Sequence, residues 1–133
     1  MLSVPEKLLE KLVEELDLIL KGDMPSPLEV PDIEIAQGAR DLIIAFNLFL
    51  VEYKSLCDLA FALSRGELDY PPPPGKMRAI QSFKSLQSNL RHLTWKTQQI
   101  ATGNLNQKVD FMGDFAAAFN SMTSKLQEAF IEI

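Results

Sequence analysis

A helical pattern about 37 residues long, repeated along the chain, most restricts the folds open to it. Between Phe83 and Leu105, the residues Phe83, Leu86, Leu90, Leu93 and Ile100 follow alternating three- and four-residue steps, with Thr97 at the one polar step. That spacing keeps one stripe on one helix face, the seam of a bundle or coiled coil. Thirty-seven residues earlier it recurs as Phe46, Phe49, Tyr53, Leu56, Ala60 and Leu63, and Gly66-Glu67-Leu68 matches the exit Gly103-Asn104-Leu105. Thirty-six residues later the entrance recurs as Phe115, Phe119, Met122, Leu126, Ala129 and Ile133, with Ala118-Phe119-Asn120 echoing Ala45-Phe46-Asn47. Near the amino end only the exit half is present: Leu9, Leu12, Leu16 and Ile19, then Gly22-Asp23-Met24. The chain therefore reads as half copies flanking whole ones, and the last helix, stopping mid-pattern, leads us to expect a following segment.

The breakers agree with this division. All six glycines and seven of the eight prolines lie between the periodic segments, with the glycines paired as 22 and 38, 66 and 75, 103 and 113 around three connectors. Four helices are predicted at about 4–21, 39–65, 76–102 and 114–133. Ser3 is the N-cap of the first, with Pro5 in its first turn and Glu6 three residues on. The connector from Gly22 to Gly38 holds Pro25, Pro27 and Pro31 and is therefore extended; Met24, Leu28, Val30 and Ile33 make it apolar enough to lie against the helices. The second helix has a further apolar row at Ile43, Leu50 and Cys57, so it should be the most buried. Pro71 to Pro74 form a stiff strut, the commoner meaning of such a run than a ligand for a proline-recognition domain. Leu68, Leu105, Val109 and Met112 are the expected connector anchors, together with Gly22, Gly66, Gly103 and Gly113, and Asp114 favours the start of the fourth helix.

Charge and composition remove several functions. A net charge of −5 with a pI near 4.8 disfavours binding to nucleic acid or anionic lipid. The acidic, amphipathic amino end is not a signal peptide, and Leu42 to Leu63 carries Asn47, Glu52, Lys54 and Asp58 where a membrane span would carry none. We therefore expect no direct membrane insertion. A single cysteine cannot form an internal disulfide, which fits a reducing, cytoplasmic compartment.

Nor do the reactive residue types assemble into chemistry. His92 lacks the neighbouring acid and downstream proline of a phosphoaccepting histidine, being followed by Leu93-Thr94-Trp95, and reads as a structural or surface residue. Cys57, beside Leu56 and near Asp58, reads as a small buried hydrophobe and not a reactive thiol. Trp95 reads as packing. The dispersed carboxylates have no His or Cys at ligand spacing, so no metal, cofactor or catalytic set is expected and the chain is read as a non-enzyme.

The third unit resembles a HAMP domain, the helical relay of bacterial sensor histidine kinases, chemoreceptors and cyclases. The resemblance lies in Ile100-Ala101-Thr102-Gly103-Asn104-Leu105, Val109, and the run Asp110-Phe111-Met112-Gly113-Asp114-Phe115-Ala116-Ala117-Ala118-Phe119-Asn120-Ser121-Met122, on to Leu126. The chain departs from the family at Phe111, where the family usually has Glu, and in a shorter connector. The first two units follow by repeat: 1–52, 53–89 and 90–133. The resemblance implies an all-α array in which paired helices run parallel, connectors climb back outside them, and four-helix layers are completed by dimerisation. It also implies a cytoplasmic two-component relay, a homodimer whose output domain would be a histidine kinase, diguanylate cyclase or similar. The dimer core would be Leu12, Leu16, Phe46, Phe49, Tyr53, Leu56, Leu63, Phe83, Leu86, Leu90, Leu93, Ile100, Phe115, Phe119, Met122 and Leu126. An up-down four-helix bundle enclosing a small molecule is the alternative.

Overall fold

Ser3 starts the first helix as its spacing from Glu6 requires. In the computed structural model, which describes residues 3–132, Ser3 is extended and its hydroxyl accepts the Glu6 N–H at 3.3 Å. The helices are α1 Val4–Leu20, α2 Gln37–Ser64, α3 Arg78–Ala101 and α4 Gly113–Glu132. No strand occurs among the described residues, so the chain is an all-α protein of four helices. Ile133, the last expected seam position, lies outside the described residues.

The helix ends differ from expectation by one or two residues, for local reasons. α2 begins before Gly38, which sits in its first turn: the Ala36 carbonyl accepts from Ala39 and Arg40, and Gln37 bonds Asp41 one turn on at 2.9 Å. Gly38 is therefore no connector boundary. α3 begins at Arg78, two residues after Lys76, whose N–H donates to Glu52 Oε1 at 2.9 Å.

The three exits are one motif. After α3, Gly103 turns left-handed at φ 100°, where a Cβ would be strained; Asn104 N–H returns to the Gln99 carbonyl at 3.0 Å and Gly103 N–H to Ile100 at 2.9 Å. The same two bonds close α1, from Asp23 to Leu18 and Gly22 to Ile19, and α2, from Glu67 to Ala62 and Gly66 to Leu63.

The chain forms two compact units. One comprises the chain through Leu59 together with Pro73–Ile80; the other comprises Ala60–Pro72 and the chain from Gln81 onward. In the first, Leu28, Ile43, Phe46 and Leu50 are buried, with Leu8, Leu12, Ile19 and Ile35 packed against them. The connector runs back along α1: Ser26 N–H meets Glu15, and residues 26–32 border a cleft with Val4, Lys7, Leu8 and Lys11. Its expected apolar contact rests on Leu28, whereas Met24, Val30 and Ile33 are exposed.

In the second unit Val109, Ala116 and Phe119 are buried, with Leu93, Ile100 and Phe111 against them. The connector again runs back, placing Lys108 beside Lys96 and Phe111 beside His92. Along α4 the order reverses: Val109 pairs with Asn120, and the earlier Leu105 with the later Gln127. The connector is thus antiparallel to both helices, and α3 and α4 run the same way. Their carboxyl ends accordingly border one groove, Ile100 and Ala101 facing Leu126, Phe130 and Ile131. An up-down pair would instead set the end of α3 beside the start of α4.

Candidate functional site

Two asparagines at the same repeat position clasp the connectors. Asn47 Oδ1 accepts the Leu28 N–H at 2.8 Å while its Nδ2 donates to the Leu28 carbonyl at 3.0 Å. Asn120 does the same to Val109, at 2.8 and 2.9 Å. A primary amide is the shortest side chain that offers a donor and an acceptor side by side, which suits one residue of extended backbone. Each clasp fixes a buried apolar side chain, Leu28 or Val109, over the entrance phenylalanine that precedes the asparagine.

The middle repeat is fastened differently. Gln87, buried at the place held by Leu50 and Thr123 in the other repeats, donates through Nε2 to the carbonyls of Leu68 at 3.1 Å and Tyr70 at 2.5 Å. In the first unit, Gly75 lies at φ 148° with no room for a side chain: an added Cβ would stand 2.7 Å from Ile80 Cδ1 and 2.9 Å from Glu52 Oε1.

Glu15 is the buried carboxylate of the first unit. It accepts the Ser26 N–H at 2.7 Å and pairs with Lys11 at 3.1 Å. The Ser26 N–H, and then Lys11, hold its carboxyl below the usual carboxylate range, and Glu15 in turn raises the Lys11 ammonium.

The seam divides into an inner and an outer row. Phe46 and Phe119, expected in a dimer core, are already buried within the single chain, and Phe83 is half-buried. Leu28 and Val109 of the connectors pack with Phe46 and Phe119. Phe49, Leu86 and Met122, equivalent to one another by repeat, remain 38, 37 and 44% exposed. Leu16 and Phe115 are also exposed, while Leu12, Tyr53, Leu56, Leu63, Leu90, Leu93, Ile100 and Leu126 are half-buried. α2 does supply five of the ten buried apolar residues among those described, more than any other helix, but through Ile43 and Leu50 of its second row as well as Phe46, Leu59 and Ala62.

Of the expected anchors, Val109 is buried and Leu68, Leu105 and Met112 are half-buried; Met112 is left-handed at φ 70° just before α4. Phe111 stacks on His92, ring centroids 5.5 Å apart, and packs against the Val109 cluster. Trp95 is half-exposed beside His92 rather than packed away. Cys57 is half-buried, and as a neighbour of Tyr53 it pushes the phenol pKa above its ordinary value.

Among the described residues no group of three or more His, Cys, Asp or Glu is placed to hold a metal ion. None of the described helices is long and apolar enough to cross a membrane. The clasps escaped sequence reading because Asn47 and Asn120 were visible only as an echo of Ala-Phe-Asn. Their partners, Leu28 and Val109, each six residues past an exit glycine, were the available signal. Comparison with protein-family models, curated proteins and solved structures gave no match.

Proposed function

We propose that the chain is a non-catalytic, HAMP-like relay that works as a parallel homodimer and passes a conformational bias from an input to an output module of a bacterial sensory protein. The observation that carries this reading is the recurring outer row. Phe49, Leu86 and Met122 occupy one repeat position on three helices and are left open on each, while Phe46 and Phe119 of the inner row are already buried. A lone exposed Leu needs no explanation, but an apolar position left open at every repeat suits a partner with the same periodicity, and a second copy has it. The parallel α3–α4 pair with its returning connector suits this assembly, because two such pairs related by a two-fold axis make a four-helix layer.

A relay must also hold two packings of similar energy. The seam mixes large residues, Phe83 and Leu86, with small or polar ones, Ala60 and Thr97, so rotation or sliding can exchange contacts without unfolding a helix. The attached output would be a histidine kinase, a diguanylate cyclase or a similar enzyme, and the compartment cytoplasmic. Sedimentation equilibrium tests the assembly: the wild-type chain should be a dimer, and Leu86→Glu a monomer of unchanged helicity. A monomeric wild type at micromolar concentration would overturn the reading.

A further inference from the structure

The middle repeat lacks the clasp at both of its ends. Six residues after the exit glycine stand Leu28 and Val109 in the outer repeats, supplying the N–H and C=O that are clasped; in the middle repeat this residue is Pro72, which has no N–H. One residue after the entrance phenylalanine stand Asn47 and Asn120; in the middle repeat it is Lys84, which has no acceptor. The two replaced residues meet in space, lining one cleft of about 390 Å³ with Gln87, Ser88 and Arg91. Gln87 fastens the connector from beneath, so the cleft beside Lys84 is not closed by a clasp.

The replacements change the chemistry of this position from a self-satisfied amide to a set of donors. Lys84, Ser88 and Arg91 lie at i, i+4 and i+7, along one face of α3, and present an ammonium, a hydroxyl and a guanidinium. α3 carries Arg78, Lys84, Arg91 and Lys96 with no Asp or Glu, although the chain as a whole has a net charge of −5. Lys84 has no carboxylate partner among the described residues. Arg91 has one, Asp69, at 3.7 Å, whose side chain is 98% exposed and free to swing away.

We propose that this cleft binds a small oxyanion, a phosphate or carboxylate group carried on a small molecule. Lys84 and Arg91 provide the charge, the Ser88 hydroxyl donates between them, and Asp69 is displaced on binding. This assignment rests on the cleft alone and holds whether or not the chain is a relay.

The test is an NMR titration of the full chain at low ionic strength with inorganic phosphate and, separately, succinate, against chloride at matched ionic strength. Saturable shifts are expected at the Ser88 and Arg91 amides and at the Gln87 side-chain amide, and the tighter of the two anions identifies the preferred group. Lys84→Gln should weaken binding about tenfold or more, since a charge-assisted contact is lost, and Asp69→Asn should tighten it. Arg91→Gln, at an exposed position, provides a second loss variant should Lys84→Gln alter the helix content. Shifts that fail to saturate, that chloride reproduces, or that persist unchanged in both loss variants would overturn the assignment.

Discussion

Glu15 and Lys96 hold the same place in their repeats, seven residues before the exit glycines Gly22 and Gly103, and fasten the connector with opposite charges. Glu15 accepts the backbone N–H of Ser26, and Lys96 Nζ donates to the backbone carbonyl of Lys108. An extended connector exposes both a donor and an acceptor, so either charge finds a partner. The middle repeat has Leu59 there, fully buried.

Because Glu15 titrates below the usual carboxylate range in the folded chain, its contribution is complete above that range and is lost as pH falls through the depressed value. Melting temperature against pH should therefore drop more steeply on the acid side for wild type than for Glu15→Gln. At neutral pH the variant should melt lower, and the two curves should converge in acid. Parallel curves would show that the buried carboxylate is not the charged latch described here.

The clasps give a sharper expectation. Removing the Asn120 amide strands both backbone groups of Val109, a residue only 3% exposed, so Asn120→Ala should cost about 2–4 kcal/mol by denaturant unfolding. Asn120→Asp keeps the acceptor but sets a carboxylate oxygen against the Val109 carbonyl, so it should not restore wild-type stability. Hydrogen exchange at the Val109 amide should accelerate in Asn120→Ala; protection equal to wild type would mean the amide is held by something else.

Two glycines separate conformational cost from steric cost. A Cβ on Gly103 meets nothing within 4 Å, so Gly103→Val should lose only the left-handed preference, about 1 kcal/mol or somewhat more, and more than any change at exposed Asn104. At Gly75 a Cβ also runs into Ile80, which is fully buried and cannot yield freely. Gly75→Ala should therefore lower the melting temperature more than Gly103→Ala does. The reverse order would count against the packing around Gly75.

The helices and their exits were legible because both are local: a 3.6-residue period marks an amphipathic helix, and a glycine after its last turn marks the left-handed cap. Which side of the seam faces inward was not. Phe46 and Phe49 are equally apolar and three residues apart, and only the connector, laid over Phe46 by a clasp invisible to periodicity, makes one inner and the other outer. Phe111 was read as a departure from a family pattern, and the structure uses it as an aromatic lid on His92. The open cleft in the middle repeat is not legible for a related reason: Pro72 reads as part of a strut, Lys84 belongs to no seam or connector signal, and only the fold brings them to one cleft.

The inner and outer rows should fail in different assays. Phe119→Ala empties a buried site and should cost about 3–5 kcal/mol of stability, whether or not the chain is associated. Met122→Lys alters an exposed site and should leave the fold intact while weakening self-association, read as a rise in the sedimentation dissociation constant. If Met122→Lys unfolds the chain, or leaves its association untouched, the outer row is not an interface.

The relay reading makes its own demand on Ala129, an exposed small residue on the α4 seam, seven residues beyond Met122. Two packings of a helical layer that differ by a few kcal/mol can be biased by one side chain that fits one of them better, without either being abolished. Leu at this position adds apolar bulk and is a better helix former than most residues, so Ala129→Leu should not disturb helicity. In a fusion to an output enzyme, Ala129→Leu should hold activity either high or low, and insensitive to the input, while circular dichroism and the dimer are unchanged. If the output stays responsive with Ala129→Leu and with comparable changes at Met122 and Leu126, the seam does not carry the signal and the relay assignment fails.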